Sequence, residues 1–158
     1  MIIRKAIESD KQELVKKLAE FDSYLTPLFP KELVPFIKYK DRNATFEEVV
    51  DEWLSNHEYI LFVAEDNGNL VGHICGTVKT KKFHVNDREG SIEEWFVSED
   101  YRHKGVGKQL YDVLLTEFRK AKCTHIELKV FADNKSIIDM YHKMGFMNLE
   151  LTLIKELK

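Results

Sequence analysis

The sequence predicts a single α/β domain over residues 1–158, in which short strands alternate with amphipathic helices. Three observations carry this expectation. Runs rich in β-branched and aromatic residues alternate with segments whose apolar residues recur every three or four positions. Asn67-Gly68 falls between two of the β-type runs, and Asn-Gly is the strongest short signal for a hairpin. Gly145 stands just past the last periodic residue of a helical segment, the usual place of a left-handed cap. At 158 residues the chain is long enough for one core that buries about two-thirds of its unfolded surface without disulfides or a structural metal.

In chain order, Met1 to Ala6 reads as a first strand. Ser9 with Gln12 forms a capping box that opens a helix, whose positions Leu14, Val15, Leu18, Phe21 and Leu25 make one buried stripe. Residues 26–41 contain all three prolines and therefore form a loop with a short helix. Thr45 and Glu48 form a second box, and the helix they open buries Phe46, Val49, Val50, Trp53 and Leu54 before ending near Asn56. Strands follow at Tyr59 to Ala64, Leu70 to Val78 and Ser91 to Val97, the last two joined by an exposed polar end. Val106 to about Lys120 is helical, Thr124 to Phe131 a strand, Ser136 to Met144 a helix, and Phe146 to Ile154 a closing strand.

Composition excludes several function classes. With 24 basic and 27 acidic residues the net charge is −3, so there is no nucleic-acid footprint. No apolar run approaches the roughly 20 residues of a membrane span, and the start has no apolar leader, which points to a cytoplasmic protein. Cys75 and Cys123 lie far apart and outside any CxxC pair, and the six histidines have no ligand spacing. No metal is expected, and each histidine reads as a surface or packing residue.

The most informative stretch is Arg102-His103-Lys104-Gly105-Val106-Gly107, directly ahead of a helix. A turn at a helix start presents backbone N–H groups and the positive end of the helix dipole, which attract phosphate. Glycines at 105 and 107 let a ligand approach closely, and three cations surround them. A Walker A loop is excluded, because its first glycine falls on Arg102 and its Ser/Thr on Gln109. The dinucleotide fingerprint fails at Leu110, where glycine or alanine is required. A solvated surface turn is the remaining alternative from these residues alone.

Further residues narrow the choice. RHKGVG after a strand ending IEEWFV, then Asn134 with Tyr141 seven residues on, then Gly145-Phe146, together resemble the GNAT acetyltransferase superfamily. The resemblance is closest from about residue 60 to 148 and implies a twisted mixed sheet of about six or seven strands flanked by helices. It implies acetyl-coenzyme A as cosubstrate: Arg102, His103, Lys104, Gly105, Val106, Gly107 and Lys108 would wrap its pyrophosphate, mainly by backbone N–H groups. Phe96, Val97 and Ser98 would pair their backbone with the pantetheine arm, and Asn134 and Tyr141 would form the second half of the site. A backbone N–H near Val97 would hold the oxyanion.

The resemblance also assigns chemistry. Tyr141 matches the general acid that quenches the departing thiolate, although Ile137, Tyr141 and Met144 share a face and would suit a core tyrosine equally. Glu93 and Glu94 occupy an otherwise apolar strand, where unpaired carboxylates are costly. Neighbouring strand residues point to opposite faces, so without a bulge only one of them reaches the substrate. The segment Ile92 to Val97 is similar to the acidic, aromatic strand of polyamine acetyltransferases, which favours Glu93 as base and leaves Glu94 as a second anion or an ion-pair partner. A structural ion pair is the rival reading of Glu93.

The expected acceptor is therefore a small-molecule primary amine, polyamine-like if Asp22, Glu47, Glu48, Asp51 and Glu52 converge with the strand acids. Aromatics Phe21, Tyr24, Phe29, Phe36 and Tyr39 are candidate pocket walls. Two alternatives stand beside it: a protein or peptide N-acetyltransferase, since Lys129-Val130 through Asn134 resembles those branches too, and an acyl-coenzyme A binding module without catalysis. Relatives often form homodimers.

Overall fold

Five strands form one mixed sheet in the order β1-β2-β3-β4-β5: β1 Ile2–Lys5, β2 Tyr59–Asp66, β3 Asn69–Thr80, β4 Arg88–Val97 and β5 His125–Leu128. The computed structural model describes residues 1–157, in two compact units, 1–128 and 129 onward. Pairing is antiparallel from β1 to β4, and β4 runs parallel to β5. Asn67 and Gly68 both take positive φ, 51° and 81°, which is the turn whose twist suits a tight hairpin between β2 and β3. Among the described residues no helix is long and apolar enough to cross a membrane.

Helices α1 (Lys11–Leu25) and α3 (Arg42–Ser55) cover one sheet face and α4 (Val106–Lys120) the other. Leu14, Leu18, Phe46, Val50 and Trp53 pack with Leu61, Val63 and Cys75 on the first side. Val106, Leu110, Leu114 and Phe118 pack with Phe62, Ile74 and Ile92 on the second. Lys81 pairs with the buried Glu89 and, at 3.0 Å, with Glu127, tying the far ends of β3, β4 and β5 together.

Both capping boxes differ from expectation. Asp10, held by Arg4 at 2.7 and 2.8 Å, accepts the Ile7 N–H at 2.9 Å and so does the work assigned to Ser9. Asp41, not Thr45, caps α3, accepting the Ala44 N–H at 3.1 Å, so the helix begins four residues early. In both places an ionised carboxylate offers a stronger acceptor than the hydroxyl and suits the positive helix end. Residues 26–41 hold a short 3-10 turn at Thr26–Leu28 and one turn of helix, α2, at Val34–Ile37.

The second unit holds helix α5, Lys135–Lys143, closed by Gly145 at φ +94°. Residues 146–157 form no strand, so the sheet has five strands rather than six or seven. Alternating leucines from 149 to 153 suit an extended chain, but a strand exists only through a ladder with a neighbour, and that is not a local property.

Candidate active site

The turn before α4 has the backbone that its glycine requires. Gly105 sits at φ +81°, with open space where a Cβ would point, and His103 also takes a positive φ of 60°. Such conformations cost a non-glycine residue about 1–3 kcal/mol and cluster at binding sites. Residues 103 to 108 donate no backbone bond of ordinary hydrogen-bond geometry within the described chain, and they stand at the positive end of a fifteen-residue helix.

The cations of this turn divide their work. Arg102 folds back: its Nε donates to the Val97 carbonyl at 3.0 Å and its guanidinium lies 4.2 Å from the Tyr24 ring centre. It braces the turn against the end of β4 and α1. Lys104 lies over the Tyr101 ring and Lys108 pairs with Asp112 at 2.7 Å, while His103 is exposed. The backbone therefore offers the turn's densest set of donors.

β4 leads into this turn. Its ladder with β5 stops at Ile92 opposite Leu128, whereas β4 runs on to Val97. Phe96 is buried against Phe21 of α1, 5.4 Å between ring centres, and Trp95 stacks on Tyr111 of α4 at 5.3 Å, so the two rings lie on opposite faces. The Ser98 hydroxyl is engaged by Lys17 at 2.9 Å and donates to Glu20 at 3.2 Å, and its backbone is engaged as well: its N–H donates to the Val71 carbonyl and its carbonyl accepts from Tyr101, both at 2.9 Å, so Ser98 has no backbone group left for the pantetheine pairing expected of it.

The register of β3 against β4 contains the bulge on which the fate of the two acids depends. Cys75 pairs with Glu94 but Gly76 pairs with Ile92, so Glu93 is the extra residue. Both carboxylates thereby reach the α1 and α3 face: Glu93 accepts a hydrogen bond from Thr77 at 2.8 Å, and Glu94 faces His73 at 3.9 Å. Their surroundings are opposite. Burial pushes the Glu93 carboxyl up, but bonds from Lys79, Ser91 and Thr77 more than offset it and hold the group below its ordinary value. Glu94 has no such partner, its Oε1 is buried without a hydrogen bond, and burial raises its pKa to about 8.

The helix acids do not converge. Asp51 pairs with Lys11, and Glu52 accepts from the Tyr59 hydroxyl at 3.2 Å. Asp22 pairs with Arg42 at 2.8 Å; its charge and that of Glu94 both act on Tyr39, while those of Glu52 and Glu93 both act on Tyr59. Tyr39 packs edge-on against Phe46 at 5.4 Å, while Phe36 is exposed. In the second unit, Asn134 immediately precedes α5 and accepts a bond from Ser136, and the Tyr141 ring meets Phe146 edge-on at 5.6 Å. No residue of α5 is fully buried, so Tyr141 is not a core tyrosine of that unit.

Residues 20–146 match the model of the Acetyltransferase (GNAT) family. The chain belongs to the GNAT acetyltransferase family. An uncharacterized N-acetyltransferase of Methanocaldococcus jannaschii is 29% identical over 137 residues, covering 84% of this chain and 58% of that protein. The chain thus spans less than two thirds of the length of the first curated relatives it matches. Among solved GNAT-like structures, a mutant of the BH1408 protein from Bacillus halodurans superposes with a TM-score of 0.83 at 16% identity, covering 100% of both chains. An aminoglycoside 6'-N-acetyltransferase from Acinetobacter haemolyticus gives 0.75 at 15% identity, over 100% of this chain and 99% of that one. At these identities the likeness is one of GNAT fold.

Sequence reasoning gave His73 as a surface or packing residue, and it is fully buried between Trp53 and Phe96; that it faces Glu94 at 3.9 Å was missed. The signal was present: an ionisable residue in the middle of Leu70-Val71-Gly72-His73-Ile74-Cys75, where every neighbour is apolar or glycine. It also missed Lys79 as the partner that engages Glu93.

Proposed function

We propose that this GNAT protein transfers the acetyl group of acetyl-coenzyme A to a small-molecule primary amine. The observation that carries the reading is the turn at residues 103–108, left-handed at His103 and Gly105 and without backbone bonds donated at the start of α4, which suits the diphosphate of coenzyme A, the family's acyl donor. Bound coenzyme supplies the reactive thioester. The match to the family runs through both units, which supports one catalytic domain.

In this reading Glu94, not Glu93, is the base. An incoming amine arrives as an ammonium ion and must lose a proton before its nitrogen can attack the thioester carbonyl. A carboxylate with a pKa of about 8 takes that proton far more readily than one held low by Lys79 and Thr77. Glu93 then sets the charge and fixes Thr77 and Lys79 around the bulge. Tyr141 keeps the role its motif position supports, protonating the thiolate as the C–S bond breaks. The aromatic cluster of Phe21, Phe96 and Trp53 around His73, the residue that Glu94 faces, favours an amine carried on a compact organic body.

Two measurements test this. Calorimetric titration with acetyl-coenzyme A should give a single site, and Gly105→Val should weaken it by roughly 5- to 150-fold, because a β-branched residue does not adopt φ +81° without a cost of about 1–3 kcal/mol. Undiminished binding by Gly105→Val would remove the turn from the site. Thiol release measured across small polyamines, aminoglycosides and peptides with unblocked N-termini should saturate with a small-molecule amine. Saturation with peptides alone would transfer the activity to protein acetylation, and turnover with none would leave a binding module.

A further inference from the structure

His73 stands in the middle of β3 with none of its surface exposed, and neither ring nitrogen has a hydrogen-bond partner. The rings of Trp53 and Phe96 flank it at 5.8 and 5.9 Å, so the imidazole lies in an apolar slot. Its Nε2 faces Glu94 Oε1 at 3.9 Å, and that oxygen is itself buried without a partner. Leaving one such buried group unsatisfied costs about 1–3 kcal/mol, so adjacent orphans of complementary chemistry call for a state in which they meet. The other carboxyl oxygen is not among the buried orphans, and the Glu94 side chain keeps 16% of its exposure. The two oxygens thus have different surroundings: Oε1 faces His73 and Oε2 the accessible side.

We propose that His73 is a positioning residue for Glu94: when the carboxyl ionises, Nε2–H closes on Oε1 and holds Oε2 toward the amine. This rests on the reading of Glu94 as the base. The closure needs a movement of about 1 Å to reach an ordinary N–H···O distance. Because Nδ1 has no partner, nothing else chooses the tautomer. The ring carries its proton on Nε2 when Glu94 is ionised, and moves it to Nδ1 when the carboxyl holds a proton and can donate to Nε2. The imidazole stays neutral in both states, since burial, aided by the nearby Lys17 charge, lowers its pKa to about 3.

The remaining charged or titratable groups around the pair are engaged elsewhere. On α1, Lys17 bonds Glu20 and Ser98, and Asp22 pairs with Arg42 of α3. Glu93 is held by Lys79, burial keeps the Cys75 thiol protonated, and Tyr39 is raised by burial beside Asp22 and Glu94. None of them donates to Oε1. A hydrogen bond to a charged oxygen is about twice as strong as one to a neutral group, so His73 favours the carboxylate and offsets part of what burial does to Glu94.

The test compares His73→Phe, which keeps the volume and removes the donor, with His73→Gln, whose amide N–H can take the place of Nε2–H. In His73→Phe the acid limb of the kcat/KM profile should move up by about one pH unit, the difference between a charge-assisted and a neutral hydrogen bond. His73→Gln should return it near the wild-type position, and acetyl-coenzyme A affinity should be the same in all three. A limb that stays in place in His73→Phe, or moves equally in both variants, overturns the proposal. A second readout needs neither His73 variant nor turnover: the Nε2 resonance of ¹⁵N-labelled wild-type protein should pass from an unprotonated to a protonated nitrogen as Glu94 ionises, and the change should vanish in Glu94→Gln. An Nε2 signal constant across that titration also overturns it. If Glu94→Gln keeps full turnover, the base assignment fails, and the nitrogen signal still decides whether the two groups pair.

Discussion

Glu94→Gln lowers kcat/KM for amine acetylation by about 10²- to 10³-fold and leaves acetyl-coenzyme A affinity unchanged, the scale on which a positioned base contributes. Gln keeps the shape of the side chain and its fit beside His73, but it cannot take a proton. The pH profile supplies the sign. Glu94 is a working base only when ionised, so wild-type kcat/KM should rise with pH up to about 8 and then level, and that rise should disappear in the variant. Glu93→Gln should cost only a few-fold, because Lys79 and Thr77 already tie up the carboxylate. Equal losses in the two variants would return the base role to an open question.

The same substitution has a thermodynamic signature. Native Glu94 keeps its proton between its ordinary value of 4.5 and about 8, whereas the unfolded chain loses it above 4.5. The native state then binds more protons, and stability contributed at this site falls as pH rises through that window. Glu94→Gln removes the fall, so its Tm should exceed that of the wild type at pH 9 and converge with it near pH 4. A wild-type advantage at pH 9 would mean that the carboxylate has a partner other than the ones described.

Phe118→Ala should destabilise the protein by about 3–5 kcal/mol, lowering Tm by roughly 10 °C with little change in denaturant m-value. Phe118 is 1% exposed, and its ring occupies the space that two glycines leave open. A Cβ built on Gly76 would lie 2.7 Å from the ring, and one on Gly90 2.6 Å from it. These glycines are about close approach, since neither has a positive φ. With no side chain at Gly76 or Gly90 to fall into the vacated volume, the cavity collapses poorly and the loss lies at the upper end for its type. Unfolding in urea reads it directly; a loss under 1 kcal/mol would show that α4 closes down on the sheet.

Most of the frame was legible because it depends on neighbours in the chain. The stripe Val106, Leu110, Leu114 and Phe118 spells the buried face of α4, and Asn67-Gly68 spells a turn whose positive φ values few other pairs adopt. The helix caps were read less well: Ser9 and Thr45 fit the local pattern, but Asp10 gains its place from Arg4 across the first strand. The site shows the same division. Gly105, with its cationic neighbours ahead of a helix, announces an anion-binding turn in one line of sequence, whereas the inward fold of Arg102 onto Val97 and Tyr24 does not.

By itself the sequence determined that a glycine-bearing, cationic turn would open a helix after an acidic, aromatic strand, because both features are written in consecutive residues and in backbone preference. Only the tertiary structure decided which of two adjacent glutamates has a basic carboxylate. That choice rests on one extra residue in the β3–β4 register, which turns both acids to one face and then sets one against Lys79 and Thr77 and the other, buried, against His73, itself flanked by Trp53 and Phe96. Those partners come from separate strands and a distant helix, and a carboxyl's affinity for its proton is set by what surrounds it in space.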